Sequence, residues 1–174
     1  MKRHGNLFPQ IASPGNIYLA YLKARRGKRN FPAVKRFARN EEANLQRIYD
    51  SLANKTFHTH SYNEKVVFEP KKRMIYVLPF DPDRIVQHAL MNVVAPIWER
   101  LYIVDSYACI EGRGIHAGSR RTMEYVRRNT FCLKCDVASF YMSVDHDILM
   151  EIIKHKIKCK DTLWLIEDIL INIP

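Results

Sequence analysis

The residues best suited to do chemistry lie in one stretch, Cys132-Leu-Lys-Cys-Asp-Val-Ala-Ser-Phe-Tyr-Met-Ser-Val-Asp-His-Asp-Ile-Leu149. The β-forming residues at 130–137 predict a strand that ends near Asp136. Residues 143–147 then offer N-caps, and Ile148, Leu149, Ile152 and Ile153 follow at helical spacing. A carboxylate leaving a buried strand stands where a metal ion or a helix N-terminus can meet a ligand. Tyr141, further along the same turn, is near enough to shape such a site. The plainer readings are an acid that caps a helix or forms a turn, and a half-buried core aromatic.

Other groups can meet anions. Ser106-Tyr-Ala-Cys-Ile-Glu-Gly-Arg-Gly114 is a turn whose glycines allow close approach to a nucleic-acid strand, and Arg113 can meet a phosphate there. In Lys23-Ala-Arg-Arg-Gly-Lys-Arg29 every residue but Ala24 and Gly27 is cationic, which suits either a solvated face or phosphate contact by Arg25, Arg26, Lys28 and Arg29. Two β-prone runs, residues 62–69 and 73–79, flank Pro70-Lys71-Lys72 and predict a hairpin with a basic tip. Such a tip also blunts an exposed edge. Cys132 and Cys135 invite a zinc or redox reading, but on a strand they face opposite ways. Packed, reduced cysteines in a cytoplasmic protein are therefore expected. His58 and His60 have no third ligand nearby and are expected at the surface.

The elements that must position these groups are mostly helices. Ser13-Pro14 opens one that runs to about Arg26. Residues 34–38 suggest a short helix, and Asn40 caps the next, with Glu41 and Glu42 in its first turn. Asp81-Pro-Asp-Arg84 opens a long helix with a broad apolar stripe, and Pro96 is expected to end it or to begin a second segment. Residues 116–128 form a helix with Arg120, Arg121, Arg127 and Arg128 on its polar side. Helices over residues 145–157 and from Asp161 complete the chain.

The totals limit the classes open to it. The apolar fraction of 47% supports a core and excludes global disorder. No run of apolar residues is long enough to span a membrane, and no secretory signal is visible. The net charge of +10 points to a polyanionic partner. Residues 1–60 hold 12 Lys and Arg against 3 Asp and Glu, and residues 61–174 hold 16 against 15, so the excess is N-terminal.

Three motifs in order then suggest a family. Asp136-Val-x-x-Phe-Tyr-x-Ser-Val-Asp-His146 resembles the first carboxylate motif of reverse transcriptases, the bacterial ones above all: group II intron, retron and diversity-generating retroelement enzymes. Lys72-Arg-Met-Ile-Tyr-Val-Leu-Pro-Phe-Asp-Pro-Asp-Arg-Ile-Val-Gln-His-Ala-Leu90, with the 106–114 turn, resembles their fingers motifs. The resemblance covers about residues 60–155, and Ser-Tyr-Ala-Cys leans toward the diversity-generating branch.

That resemblance implies an α+β fold of fingers and partial palm, with a basic helical region at 1–60, fingers at 61–129 and the opening of the palm at 130–174. It implies RNA-directed DNA polymerase activity with an RNA template, a DNA primer, deoxynucleoside triphosphates and Mg2+. Asp136 and the backbone carbonyl of Val137 would hold the metal ions, and Tyr141 would lie under the nucleotide sugar. Arg73, with Lys65 and the basic tip at Lys72, would hold the triphosphate, as guanidinium suits phosphate. A basic accessory protein would accompany a diversity-generating enzyme. The family's Tyr-x-Asp-Asp motif is missing, since no Asp-Asp pair occurs in these 174 residues. The chain is thus expected to be an inactive fragment that self-associates through the open edge of its last strand. A non-catalytic nucleic-acid or protein-interaction module on the same fold is the alternative.

Overall fold

Ser13 starts the first long helix as its sequence suggests. The computed structural model describes residues 3–68, 70, 72–138 and 140–173, apart from the side chain of Tyr141. A short helix α1 (Phe8–Ile11) leads into α2 (Pro14–Ala24), where Ser13 Oγ accepts the Asn16 backbone N–H at 3.3 Å. Proline also opens α3 (Pro32–Arg39), where its missing N–H costs nothing. Asn40 occupies the N-cap position of α4 (Glu41–Ala53), yet its side chain makes no capping bond. The packing centre is aromatic. Tyr21 and Phe37 lie 4.9 Å apart, and Phe80 meets both edge-on at 6.3 and 5.8 Å.

The expected hairpin is present, with β1 (Asn63–Val67) antiparallel to β2 (Arg73–Val77). Its register opposes Lys65 to Ile75 and Val67 to Arg73. It is the one sheet among the described residues, so the chain is α+β with helices dominant. Glu69 and Lys71, at the tip, lie outside the described residues. After β2 the chain makes a π-type turn, Phe80–Arg84, and continues as α5 (Ile85–Glu99). Pro96 sits inside this helix rather than ending it. The lost backbone bond is carried by apolar burial on both sides, at Val94 and Ile97.

Near the end of the chain, α7 (His146–Lys154) begins on Asp145, whose Oδ1 accepts the N–H groups of Asp147 and Ile148. Next, α8 (Lys160–Ile171) places Trp164 edge-on to Phe8 at 6.1 Å. His4 bonds through its backbone to Lys156 and Lys158, so the first described residues join the turn before α8. Contacts divide the chain into two compact units, Met1–Val94 with Asp145–Pro174, and Ala95–Val144. None of the described helices is long and apolar enough to cross a membrane.

The second unit is organised by one acid. Asp105 accepts from Tyr107 Oη at 2.9 Å and Tyr125 Oη at 3.0 Å, and its Oδ1 lies 3.0 Å from Arg121 Nε. These bonds fasten the 106–114 turn to α6 (Ile115–Arg128). Gly118 lies close under the Tyr107 ring, where an added Cβ would meet it at 3.2 Å. Residues 131–138 depart from expectation. They form no strand and are exposed throughout, Phe131 at 91% and Leu133 at 88%. β-propensity describes fit to a pleated, paired surface, and among the described residues no strand is available to pair with this segment.

Candidate nucleic-acid interface

The hairpin sorts its side chains by parity. Lys65 and Arg73 belong to the register pairs Lys65–Ile75 and Val67–Arg73, so they share one face as diagonal neighbours. Both are exposed, as is Lys72 just before β2. Tyr76 belongs to the opposite face, where its ring meets that of Tyr62 edge-on, 6.5 Å apart and at 87°.

That second face closes a cleft of about 330 Å3 lined by Tyr62, Tyr76, Leu78, Arg84, Gln87, His88 and Met91. Burial of Tyr62 raises its phenol above the usual range, with the Asp83 charge adding to this and a hydrogen bond from Gln87 opposing it. Burial likewise lowers the His88 imidazole below its ordinary value, and the cations Lys23, Arg84 and Lys28 lower it further. Lys23 Nζ is held at 2.6 Å from Asn92 Oδ1, while Asn92 donates to Asn16 and Asn16 to the Ala89 carbonyl. This chain of amides fixes α2 against α5 and sets the basic side of the cleft.

The base of the hairpin is fastened by two carboxylates that sequence reading did not assign. Asp83 is fully buried and receives the His60 backbone N–H and Nδ1, both at 2.9 Å. Asp168 on α8 accepts the Thr59 backbone N–H and hydroxyl at 2.8 Å and meets His58 Nδ1 at 3.0 Å. Both histidines are exposed, as expected, but each is anchored. The spacing of Asp83 and Asp168 from residues 58–60 left no local signal. The cleft did leave one, because Arg84 with His88 and Gln87 with Met91 are four apart, on one stripe of a helix.

The N-terminal basic run divides. Arg25 is engaged internally: its guanidinium lies over the Tyr21 ring at 4.8 Å from the centroid, bonds Tyr21 Oη at 3.0 Å and faces Glu41 at 3.6 Å. Arg26 and Arg29 are exposed, and Lys28 is half-buried.

In the second unit, Arg113 Nη1 donates to the carbonyls of Val104 at 3.1 Å and Ile103 at 3.5 Å, fixing the turn to its approach. Cys109 and Gly112 in that turn both take positive φ, so the glycine at 112 is conformationally required. Asp136 is exposed in irregular backbone, and Val137 is 62% exposed. Residues 140–142 form a single 3₁₀ turn, and the side chain of Tyr141 lies outside the described residues. The cysteines correct an expectation, because Cys109, Cys132 and Cys135 are exposed rather than packed. The absent strand explains the last two.

Among the described residues no three His, Cys, Asp or Glu side chains converge as a metal site. Asp136 and Val137 thus do not by themselves meet the needs of a magnesium ion, which takes six oxygen ligands. Lys65, Lys72, Arg73 and the basic run belong to the first unit, and Arg113, Asp136 and Val137 to the second. No family model matches this chain, and no curated protein is significantly similar to it in sequence.

Proposed function

We propose that this chain forms the fingers and the opening of the palm of an RNA-directed DNA polymerase, whose remaining carboxylates lie outside these 174 residues. The observation that carries the reading is the hairpin register, which sets Lys65 and Arg73 on one exposed face beside Lys72. Three exposed cations on and beside one hairpin suit a triphosphate. The motif order from Arg73 through the 106–114 turn to Asp136 supports the same reading. On it, Arg26, Lys28 and Arg29 face RNA template and DNA primer, Arg25 and Arg113 brace the fold, and Tyr141 lies under the nucleotide sugar. Asp136 and the Val137 carbonyl are what this chain contributes toward Mg2+, and alone they complete no site. The isolated chain is therefore expected to extend no primer. The reading places the protein in the cytoplasm, with a basic accessory protein if it serves a diversity-generating element. Exposed Phe131, Leu133 and Val137 suit self-association of the isolated chain.

Primer extension on an RNA template by the full-length gene product tests this. Extension is expected, with Asp136→Ala abolishing it and Arg73→Gln raising the KM for deoxynucleotide by about tenfold or more. Near-parental extension by Asp136→Ala overturns the assignment. A second reading, a non-catalytic nucleic-acid-binding module, is favoured by the exposed, irregular setting of Asp136. Nucleic-acid binding by the full-length product without any extension would select it.

A further inference from the structure

We propose that the cleft on the tyrosine face of the hairpin is a separate site for single-stranded nucleic acid, which holds one backbone phosphate at Arg84 and His88 and one base against Tyr62 and Tyr76. The site lies on the hairpin face opposite Lys65 and Arg73, so it stands apart from any triphosphate contact there.

Four features carry it. The cleft volume, about 330 Å3, falls within the range of ligand clefts at its small end, suited to part of a nucleotide rather than a duplex. Its lining joins aromatic faces to cationic and amide donors, the combination used by proteins that bind single strands. No carboxylate lines it. Glu64, opposite Tyr76 in the register, is the exposed acid of this hairpin face but is not among the lining residues, and Asp83 is fully buried with both oxygens engaged by His60. Finally, the cations beside it have no compensating charge. Among the described residues Lys23, Lys28 and Arg84 form no ion pair with a carboxylate, although Arg25, between the two lysines in the sequence, does.

His88 supplies an internal reporter. It is faced by Lys23 from α2, Lys28 from the turn beyond it, Arg84 from its own helix stripe and the two phenols of the hairpin side. Burial and the three cations disfavour its protonated form. A phosphate seated there relieves that repulsion, so binding draws a proton onto His88 and strengthens as pH falls through the imidazole's titration in the complex, levelling off once the unbound imidazole is protonated too.

The probe is a fluorescein-labelled oligouridylate of about ten nucleotides, read by anisotropy with the purified chain. The parent is expected to bind it. Arg84→Gln with His88→Gln is expected to weaken binding at least about tenfold, and Tyr76→Leu about tenfold. Arg127→Gln with Arg128→Gln, a loss of two charges on exposed α6, is the control and is expected to change it less than twofold. The His88 imidazole resonance of the parent chain should shift on adding the oligonucleotide and titrate at higher pH in the complex, which decides the matter even if a cleft variant misfolds. Equal losses in the cleft variants and the control, an unmoved His88 resonance, or full displacement by an acidic peptide at matched charge would each overturn the proposal. Primer extension by the full-length product is a separate readout, so loss of this site and loss of the polymerase reading are distinguishable.

Discussion

Asp83 shows how much one buried residue can carry. Its two oxygens accept a backbone N–H and an imidazole nitrogen from His60, and no part of it meets solvent. Asp83→Ala is expected to destabilise the fold by about 2–3 kcal/mol in urea unfolding, the range for hydrogen bonds to a charged group. His60→Ala is expected to cost less, because the backbone N–H of residue 60 still serves the carboxylate. Residue 83 could be read from sequence only as a helix opener, since its partner lies in a polar stretch with no periodicity. Arg84 and His88 were legible as helical neighbours, but nothing local said that a sheet face would close over them. Nothing in the sequence singled out Tyr21, and the structure buries it fully with the Arg25 guanidinium above its ring.

At the level of elements, sequence pattern succeeded wherever an element is defined by its own residues. The Ser13 cap, the first-turn proline of α2 and the Asp145 cap of α7 all follow from local chemistry. The hairpin also follows, because its two strands satisfy each other. The segment at 131–138 fails for the complementary reason: strand-forming residues need a neighbour. Helix α6 stands between these cases. It buries none of its residues and rests on Asp105. Hydrogen bonds from Tyr107, Tyr125 and Arg121, in that order, hold the Asp105 carboxyl below its usual range. A lowered carboxylate contributes stability above the unfolded value, near 4, and loses it as pH falls through the lower folded value. Acidification below the ordinary carboxylate range is therefore expected to release α6 from the turn. Near-ultraviolet circular dichroism of the tyrosines would follow that step, and Asp105→Asn, which has no carboxyl to titrate, should give the released signal already at neutral pH and show no such step. A variant that matches the parent spectrum at neutral pH and repeats its acid step would refute the account.

For the whole molecule, the uneven charge makes salt the useful variable. Residues 1–60 carry nearly the entire positive excess, and Arg26 and Arg29 extend into solvent. Single-strand affinity is expected to fall linearly with the logarithm of salt concentration. Replacing Arg26 and Arg29 with Gln should flatten that slope by about 1.4, from roughly 0.7 per phosphate contact. An unchanged slope would remove these two residues from the interface. Net charge is legible in the sequence at once, because it is a sum and needs no geometry. Which cations stay exposed and which brace the fold needed the structure, as Arg25 and Arg113 show.

The carboxylate of Asp168 fastens Thr59 from 109 residues further along the chain, and Lys55 is similarly paired with Asp161. The ribbon that begins at Asn63 therefore has no settled foundation while the polypeptide is still emerging from the ribosome. Its anchorage waits on a helix made more than a hundred residues later, and removing α8 would loosen a hairpin face that the removed residues never touch. A stop codon before α8 should accordingly expose β1 to proteolysis first.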